Sequence, residues 1–418
     1  MNSFSIQNFG CRVNQAESFE WAEGFQRRGL RFVPDSGRSD LVIVNTCTLT
    51  ARADRDARKF IRRVLRENSG ARIVVTGCLA ERNPGEFGNI PGVWKVIPNR
   101  EKGSLPERLF PEGGAVAGMD IRSFRSRALL KIQDGCSMTC TFCIIPRVRG
   151  KSVSLPKVEA IGRIERFASQ GFREIVLTGI HLCSYGHDLR PRSSLLELLG
   201  EVESLSGKFM VRLSSLDPRL LAWPLLEHLA NSPTICPHFH LSLQHGSERI
   251  LEAMGRASTI PEYGEIMAYL RRSSPSASLG ADIIVGFPGE TDEDFRATED
   301  FLDRSPLSYF HVFSYSPRPG TMASGLKPVD EKTKKKRASS LRKMSKQKNT
   351  AFRKSFRSEV LDGIVIRKDD RGAKILTANY IDVRVPLCAA GEGDAAKVKI
   401  TTVTDRETRG EIVFPLPL

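Results

Sequence analysis

Apolar strand-length runs alternate with segments of helical period from the start of the chain. SFSIQN, DLVIVN and ARIVVTG read as buried strands, and between them NQAESFEWAEGFQRRGL and RADRDARKFIRRVLREN carry apolar residues at helical spacing. Parallel strands need such crossover helices, so this block predicts an open parallel α/β sheet, assigned to residues 1–105. Beyond Arg100, GSLPERLFPEGGAVAGMD is rich in Gly and Pro and reads as a linker to about Asp120.

A second block, residues 122–350, repeats the alternation. ALLKIQ, EIVLTG, VRLSS, FHLSL, GADIIVGF and YFHVFSYS are six strand candidates separated by helix-length segments, which predicts a partial or open barrel. KPVDEKTKKKRASSLRKMSKQKNTAFRKSFRS follows, strongly basic and helical in pattern. The remainder, residues 355–418, breaks into the short alternating segments EVLDGIVIR, AKILTANYIDVRV, AAKVKITTVT and RGEIVF. These predict a small antiparallel β-barrel, an architecture often used to hold single-stranded nucleic acid. The fold class expected for the whole is α/β with a β-barrel appended.

Charge narrows the partners. Lys and Arg number 63 against 48 Asp and Glu, a net charge of +15 that favours a polyanion. No run of about eighteen apolar residues is present to cross a bilayer. The first residues lack the basic start, apolar run and small-residue cleavage site of an export signal, so a cytoplasmic protein is expected. Nine cysteines are too few for a disulfide scaffold and cannot all pair, so their spacing carries the information.

In GCSMTCTFCIIPRVRG, Cys136, Cys140 and Cys143 stand four and three residues apart directly after a strand. Three thiolates in one short loop can hold three irons of a 4Fe-4S cube and leave the fourth free for another ligand. The alternative is a zinc knuckle, but zinc wants a fourth ligand in a closed site, and no Cys or His at usual spacing supplies it. The loop, with Phe142 before its last cysteine, resembles the radical S-adenosylmethionine superfamily. That resemblance implies a six-unit partial (β/α)6 barrel with the cluster at the end of its first strand, and S-adenosylmethionine bound at later strand ends. Phe142, Thr178, Gly179, Arg212, Ser214, Gln244, Gly286 and Glu290 are the cofactor contacts it implies. No catalytic acid or base can be named. His181, His240, His245 and His311 fall near the expected mouth and read as structural or solvent-bridging.

Cys11, Cys47 and Cys78 each end one of the first three predicted strands, where the carboxyl ends of a parallel sheet converge. On spacing alone they are equally a second ligand set or buried core thiols. FGCRVNQAES, VNTCTLTARAD and VTGCLAERNP, followed by the radical loop, resemble the methylthiotransferase family over nearly the whole chain. The resemblance implies an auxiliary 4Fe-4S cluster on these cysteines and a terminal RNA-binding barrel of the TRAM type, whose core ILTANYIDVRV resembles. It also implies tRNA as partner, with an electron donor and a sulfur donor of unknown identity. KIQDGC, CIIPRVRG, LTGIHLCSYGHDL and RLSSLDP are most similar to the group that thiomethylates N6-threonylcarbamoyladenosine beside the anticodon. Isopentenyladenosine or a ribosomal-protein aspartate are the other substrates in the family, and a non-catalytic iron-sulfur RNA-binding protein is the competing class. His245 stands where the family commonly has Ser, and VRGKSVS is looser than the usual run. Cys183, Cys236 and Cys388 match neither motif and read as small buried residues.

Overall fold

The computed structural model describes residues 1–111, 124–256, 259–386 and 388–415. In its first block the elements are β1 (Ser3–Asn8), α1 (Arg12–Arg27), β2 (Arg31–Phe32), β3 (Leu41–Thr46), α2 (Ala51–Glu67), β4 (Arg72–Gly77), α3 (Cys78–Arg82), α4 (Pro84–Gly88), β5 (Val93–Ile97) and α5 (Leu105–Leu109). The strands form one parallel sheet ordered β2-β1-β3-β4-β5. Every residue of β3 is buried because helices cover both faces of a central parallel strand. The Thr50 hydroxyl caps α2 by accepting from the Ala53 N–H, and Ala57, Phe60, Ile61 and Val64 form the stripe it buries. Part of the expected linker is core instead: Leu105 and Leu109 of α5 are buried with Trp21 and Phe25. Residues 112–120 of that segment lie outside the described residues.

The second block runs β6 (Ala128–Lys131), β7 (Gln133–Asp134), α6 (Ile145–Arg149), β8 (Val153–Ser154), α7 (Lys157–Ser169), β9 (Glu174–Thr178), α8 (Leu195–Glu203), β10 (Met210–Leu213) and α9 (Trp223–Asn231). It continues through β11 (His238–Gln244), α10 (Glu248–Ala253), α11 (Ile260–Ser273), β12 (Ser278–Val285), α12 (Asp292–Arg304), β13 (Tyr309–Ser314) and the basic helix α13 (Glu331–Lys354). β10-β9-β6 and β11-β12-β13 are parallel three-stranded sheets, joined by single bridges from Val211 to Ile235 and from Leu216 to Leu241. Six parallel strands thus curve into a partial barrel with its helices outside. Its outer core also takes in Ala16 and Phe19 of α1, so the first helix is shared by both blocks. Arg163–Glu20 and Arg166–Glu23 ion pairs flank that joint at 3.0 Å each.

The last block, β14 (Val360–Asp369), β15 (Gly372–Thr377), β16 (Asp382–Val385), β17 (Ala395–Val403) and β18 (Thr408–Pro415), closes as a barrel ordered β14-β15-β16-β18-β17. Its pairs are antiparallel except β16–β18, which is parallel. Among the described residues no helix is long and apolar enough to cross a membrane.

Candidate active site between two cysteine triads

Cys11 follows β1 and caps α1, Cys47 follows β3, and Cys78 opens α3 directly after β4. Topology therefore delivers all three to the carboxyl edge of one sheet. Gly77 permits the last of these turns: its φ is +97°, and a Cβ there would meet the Thr46 carbonyl oxygen at 2.3 Å. Asn14 and Asn45 lock the edge together, Asn14 donating to the Thr46 carbonyl at 2.9 Å and Asn45 donating to the Asn14 carbonyl at 3.0 Å. The three thiols lie within electrostatic reach of one another. Burial raises the Cys11 thiol and pushes Cys47 to about 12, and the other thiols of the set add to the shift.

The second triad lies on the loop between β7 and α6. Gly135, at φ +67°, turns the chain so closely past Lys151 that a Cβ would sit 2.0 Å from its carbonyl oxygen. Cys136 is pinned through its N–H to the Gly150 carbonyl at 3.1 Å, and its sulfur accepts from the Met138 N–H at 3.5 Å. Arg219 donates to the Cys140 sulfur at 3.7 Å. It is aimed by Asp217, which also meets His181 at 3.1 Å and Arg256 at 3.2 Å. Burial pushes Cys143 to about 12.

Arg149, on the helix that leaves this loop, reaches back to the first triad. Only 1% of its side chain is exposed. It donates to the Cys78 sulfur at 3.3 Å, Glu17 at 2.9 Å, Asp134 at 2.7 Å and the Asn14 side chain at 2.5 Å. Lys102 and Lys131 complete the shell around Glu17 at 2.8 and 3.2 Å. Although burial opposes it, Arg149 and the two lysines hold the Glu17 carboxyl well below the usual range. Cys78 packs with Ile144, Ile145 and Val148, and Cys136 and Cys143 border the same apolar cluster. Cys78 of the first triad and Cys136 and Cys143 of the second thus border one apolar cluster.

Among the described residues no three His, Cys, Asp or Glu side chains are gathered around a point where a single metal ion would sit. The donor chemistry is that of a larger group. All six cysteines are free thiols, and N–H groups of Arg149, Arg219, Leu49 and Met138 point at four of their sulfurs. N–H···S contacts of this kind favour thiolate and tune iron-sulfur clusters.

The expected cofactor contacts divide. Thr178 ends β9, with a buried hydroxyl that lacks a hydrogen-bond partner. Beside it the Gly179 N–H donates to the Ser214 hydroxyl at 3.3 Å, and a Cβ on Gly179 would press on Gln133 at 2.9 Å. Gln244 closes β11 at φ +78°, a conformation costly for a non-glycine residue and typical of ligand-binding strand ends. Phe142 packs beside Ile250, Met254, Phe287 and Tyr315, anchoring the loop. Gly286 and Glu290 make a self-capped turn: the Glu290 carboxylate accepts from the Gly286 and Phe287 N–H groups and pairs with Arg337 of α13 at 2.9 Å. Arg212 is turned away from the cysteine loop. Both ends of its guanidinium bond Glu174 at 2.8 Å, and it also donates to the Ala378 carbonyl of the C-terminal barrel at 3.0 Å. This buried guanidinium ties the partial barrel to the C-terminal barrel.

His245 is wholly buried and accepts from the Ser247 N–H at 3.0 Å, behind the turn at the end of β11. His181 serves Asp217, and His240 serves Asp282 at 3.1 Å. Cys183 and Cys236 are buried and Cys388 partly so. Sequence reasoning missed Arg149, Glu17 and the Asp217–Arg219 pair. Glu17 left one trace, a carboxylate inside the apolar stripe of α1.

Residues 130–302 match the Radical SAM superfamily, and residues 3–97 match Uncharacterized protein family UPF0004. The threonylcarbamoyladenosine tRNA methylthiotransferase MtaB of Aquifex aeolicus is 37% identical, covering 91% of this chain and 96% of that one. A second protein of that name, from Thermotoga maritima, is 36% identical over 85% of this chain and 84% of its own. The tRNA-2-methylthio-N(6)-dimethylallyladenosine synthase of Carboxydothermus hydrogenoformans is 33% identical, with 81% and 82% covered. Among solved structures, the radical S-adenosylmethionine methyltransferase TsrM of Kitasatospora setae superposes with a TM-score of 0.55 over 78% of this chain and 77% of that one. At 15% identity it speaks for the fold alone. By its sequence relatives, its two matched domains and the cysteines at their strand ends, the chain belongs to the family of radical S-adenosylmethionine methylthiotransferases.

Proposed function

We propose that this enzyme adds a methylthio group to C2 of N6-threonylcarbamoyladenosine next to the anticodon of tRNA, working with two 4Fe-4S clusters. One observation supports the reading: three cysteines stand at the carboxyl edge of the first sheet and three on the loop after β7, and members of both sets border one apolar cluster beside Arg149. When bound, a cluster with S-adenosylmethionine supplies a carbon radical that can activate an unreactive aromatic C–H bond, and a second cluster supplies the sulfur.

The chain's own residues do the rest. Cys136, Cys140 and Cys143 would hold the first group, with Arg219 steadying Cys140; Cys11, Cys47 and Cys78 would hold the second, with Arg149 steadying Cys78. Thr178, Gly179, Ser214 and Gln244 stand at the strand ends where S-adenosylmethionine would lie. Ile144, Ile145 and Val148 keep water from the space between the triads, which protects a reactive radical. The basic helix α13 gives a positive surface for tRNA, consistent with the net charge of +15. The threonylcarbamoyladenosine substrate is favoured over its dimethylallyl counterpart because relatives of that name are 34–38% identical, against 30–33% for the synthases.

Mass spectrometry of tRNA nucleosides from a strain lacking the protein tests the reading. The 2-methylthio derivative of N6-threonylcarbamoyladenosine should vanish and its unthiolated precursor accumulate. An unchanged nucleoside profile would refute it.

A further inference from the structure

The inner face of the partial barrel is polar where its outer face is apolar. Along β11, β12 and β13, Leu241, Leu279, Ala281, Ile283 and Phe310 point outward into the core. Alternate residues therefore point inward, and these are His238, His240, Asp282, Tyr309 and His311. Gly280 makes room for them: a Cβ there would meet the Tyr309 ring at 2.5 Å and His240 at 2.8 Å. His311 is exposed and Asp282 partly so, which leaves the lumen open to a ligand.

One aromatic side chain from the C-terminal barrel closes its floor. Tyr380, at φ +69°, stacks on His238 with ring centroids 4.0 Å apart. Its hydroxyl accepts a hydrogen bond from Arg12, the residue after Cys11. Adjacent residues lie about 3.8 Å apart along the chain, so Arg12 runs from the edge of the first cysteine triad into the lumen.

The charges there do not balance. Arg127 and Arg212 share Glu174 at 3.0 and 2.8 Å, and Asp282 is taken by His240. Among the described residues Arg12 faces no carboxylate within ion-pair distance and makes one hydrogen bond, to the Tyr380 hydroxyl. The positive field reaches His238, whose ring is held well below its usual range by burial and then by Arg212, His240, Arg12 and Arg127. An accessible, unpaired guanidinium in a part-buried pocket is a site for an anion.

We propose that Arg12, aimed by Tyr380, pairs with the carboxylate of the substituent on the substrate base and so selects an acidic N6 group over a neutral alkyl one. The inference rests on the function proposed above and names the group that discriminates within it. A neutral substituent would leave Arg12 desolvated without a partner, and that penalty is the source of the selection.

A double substitution on enzyme and RNA tests it. Anticodon stem-loop RNA carrying N6-threonylcarbamoyladenosine is compared with the same RNA bearing the methyl ester of that carboxylate, using the reconstituted full chain. With the native enzyme, kcat/KM should fall about 10- to 100-fold from acid to ester. Arg12→Met should lose that factor on the acid and show almost no preference, and Arg12→Lys should restore part of it. Tyr380→Phe, which keeps the ring on His238, should reduce the preference without changing iron content. If Arg12→Met retains the full preference, the assignment is overturned. If it loses activity equally on both RNAs, Arg12 binds a backbone phosphate and the assignment is likewise overturned. Native enzyme that modifies neither RNA refutes the proposed function itself, a result distinct from turnover with an unaltered preference.

Discussion

Replacing Arg149 with Met removes a buried guanidinium that makes four part-buried hydrogen bonds, to Cys78, Glu17, Asp134 and Asn14. Breaking a buried charged network by deleting one partner typically costs about 3–5 kcal/mol. Glu17 retains Lys102 and Lys131, and Asp134 retains Lys131 at 2.9 Å, so the lower end of that range, about 3 kcal/mol, applies. Urea unfolding of the cluster-free protein, followed anaerobically by the fluorescence of its three tryptophans, is a suitable assay. The midpoint should fall by about 1 M or more. Arg149→Lys should recover little of it, since an ammonium cannot serve Cys78, Glu17 and Asn14 at once. A midpoint within about 0.3 M of the native one would refute the claim that Arg149 bridges the domains.

The two triads should separate by function: Cys11→Ala is expected to abolish methylthio transfer while sparing cleavage of S-adenosylmethionine to 5'-deoxyadenosine, whereas Cys140→Ala abolishes both; equal loss of cleavage would contradict the division. Gly77→Ala, which forces a Cβ into the Thr46 carbonyl at φ +97°, should cost at least about 1 kcal/mol and displace Cys78, read as loss of iron from the first block with the second intact. Burial raises the Glu174 carboxyl, but Arg212 and Arg127 outweigh it and hold the group at about 2. The contribution of that pairing is complete above the ordinary value of 4.5 and is lost as pH falls toward 2, about 3 kcal/mol in all. Glu174→Gln should therefore flatten the decline of the urea midpoint between pH 5 and pH 3, and an unchanged slope would show that the pairing is not the cause.

The framework was legible because it depends on local patterns. β1, β3 and β4 are apolar runs, and their cysteines fall at strand ends whatever the rest of the chain does. β2 is only two residues long and β5 is a half-exposed edge strand, so neither carried a pattern. The segment from Gly103 to Pro111 looked like a linker on its Gly and Pro content, yet Pro106 sits in the first turn of α5, where a missing N–H costs nothing. Two of the expected cofactor residues, polar side chains at strand ends, are also bonded within the fold, which the sequence does not reveal. Arg212 is committed to Glu174, and the Glu290 carboxylate to its own turn and to Arg337. Arg149 lies 71 residues from Cys78, a pairing that only the docking of two domains creates. Tyr380 meets Arg12 across 368 residues for the same reason.

Counting iron tests the central claim most directly. Anaerobically reconstituted chain should contain about eight iron atoms and as many sulfides, and replacing Cys11, Cys47 and Cys78 together, or Cys136, Cys140 and Cys143 together, should leave about four in each case. Native protein that saturates at about four, or a first-triad variant with undiminished iron, would contradict a two-cluster site.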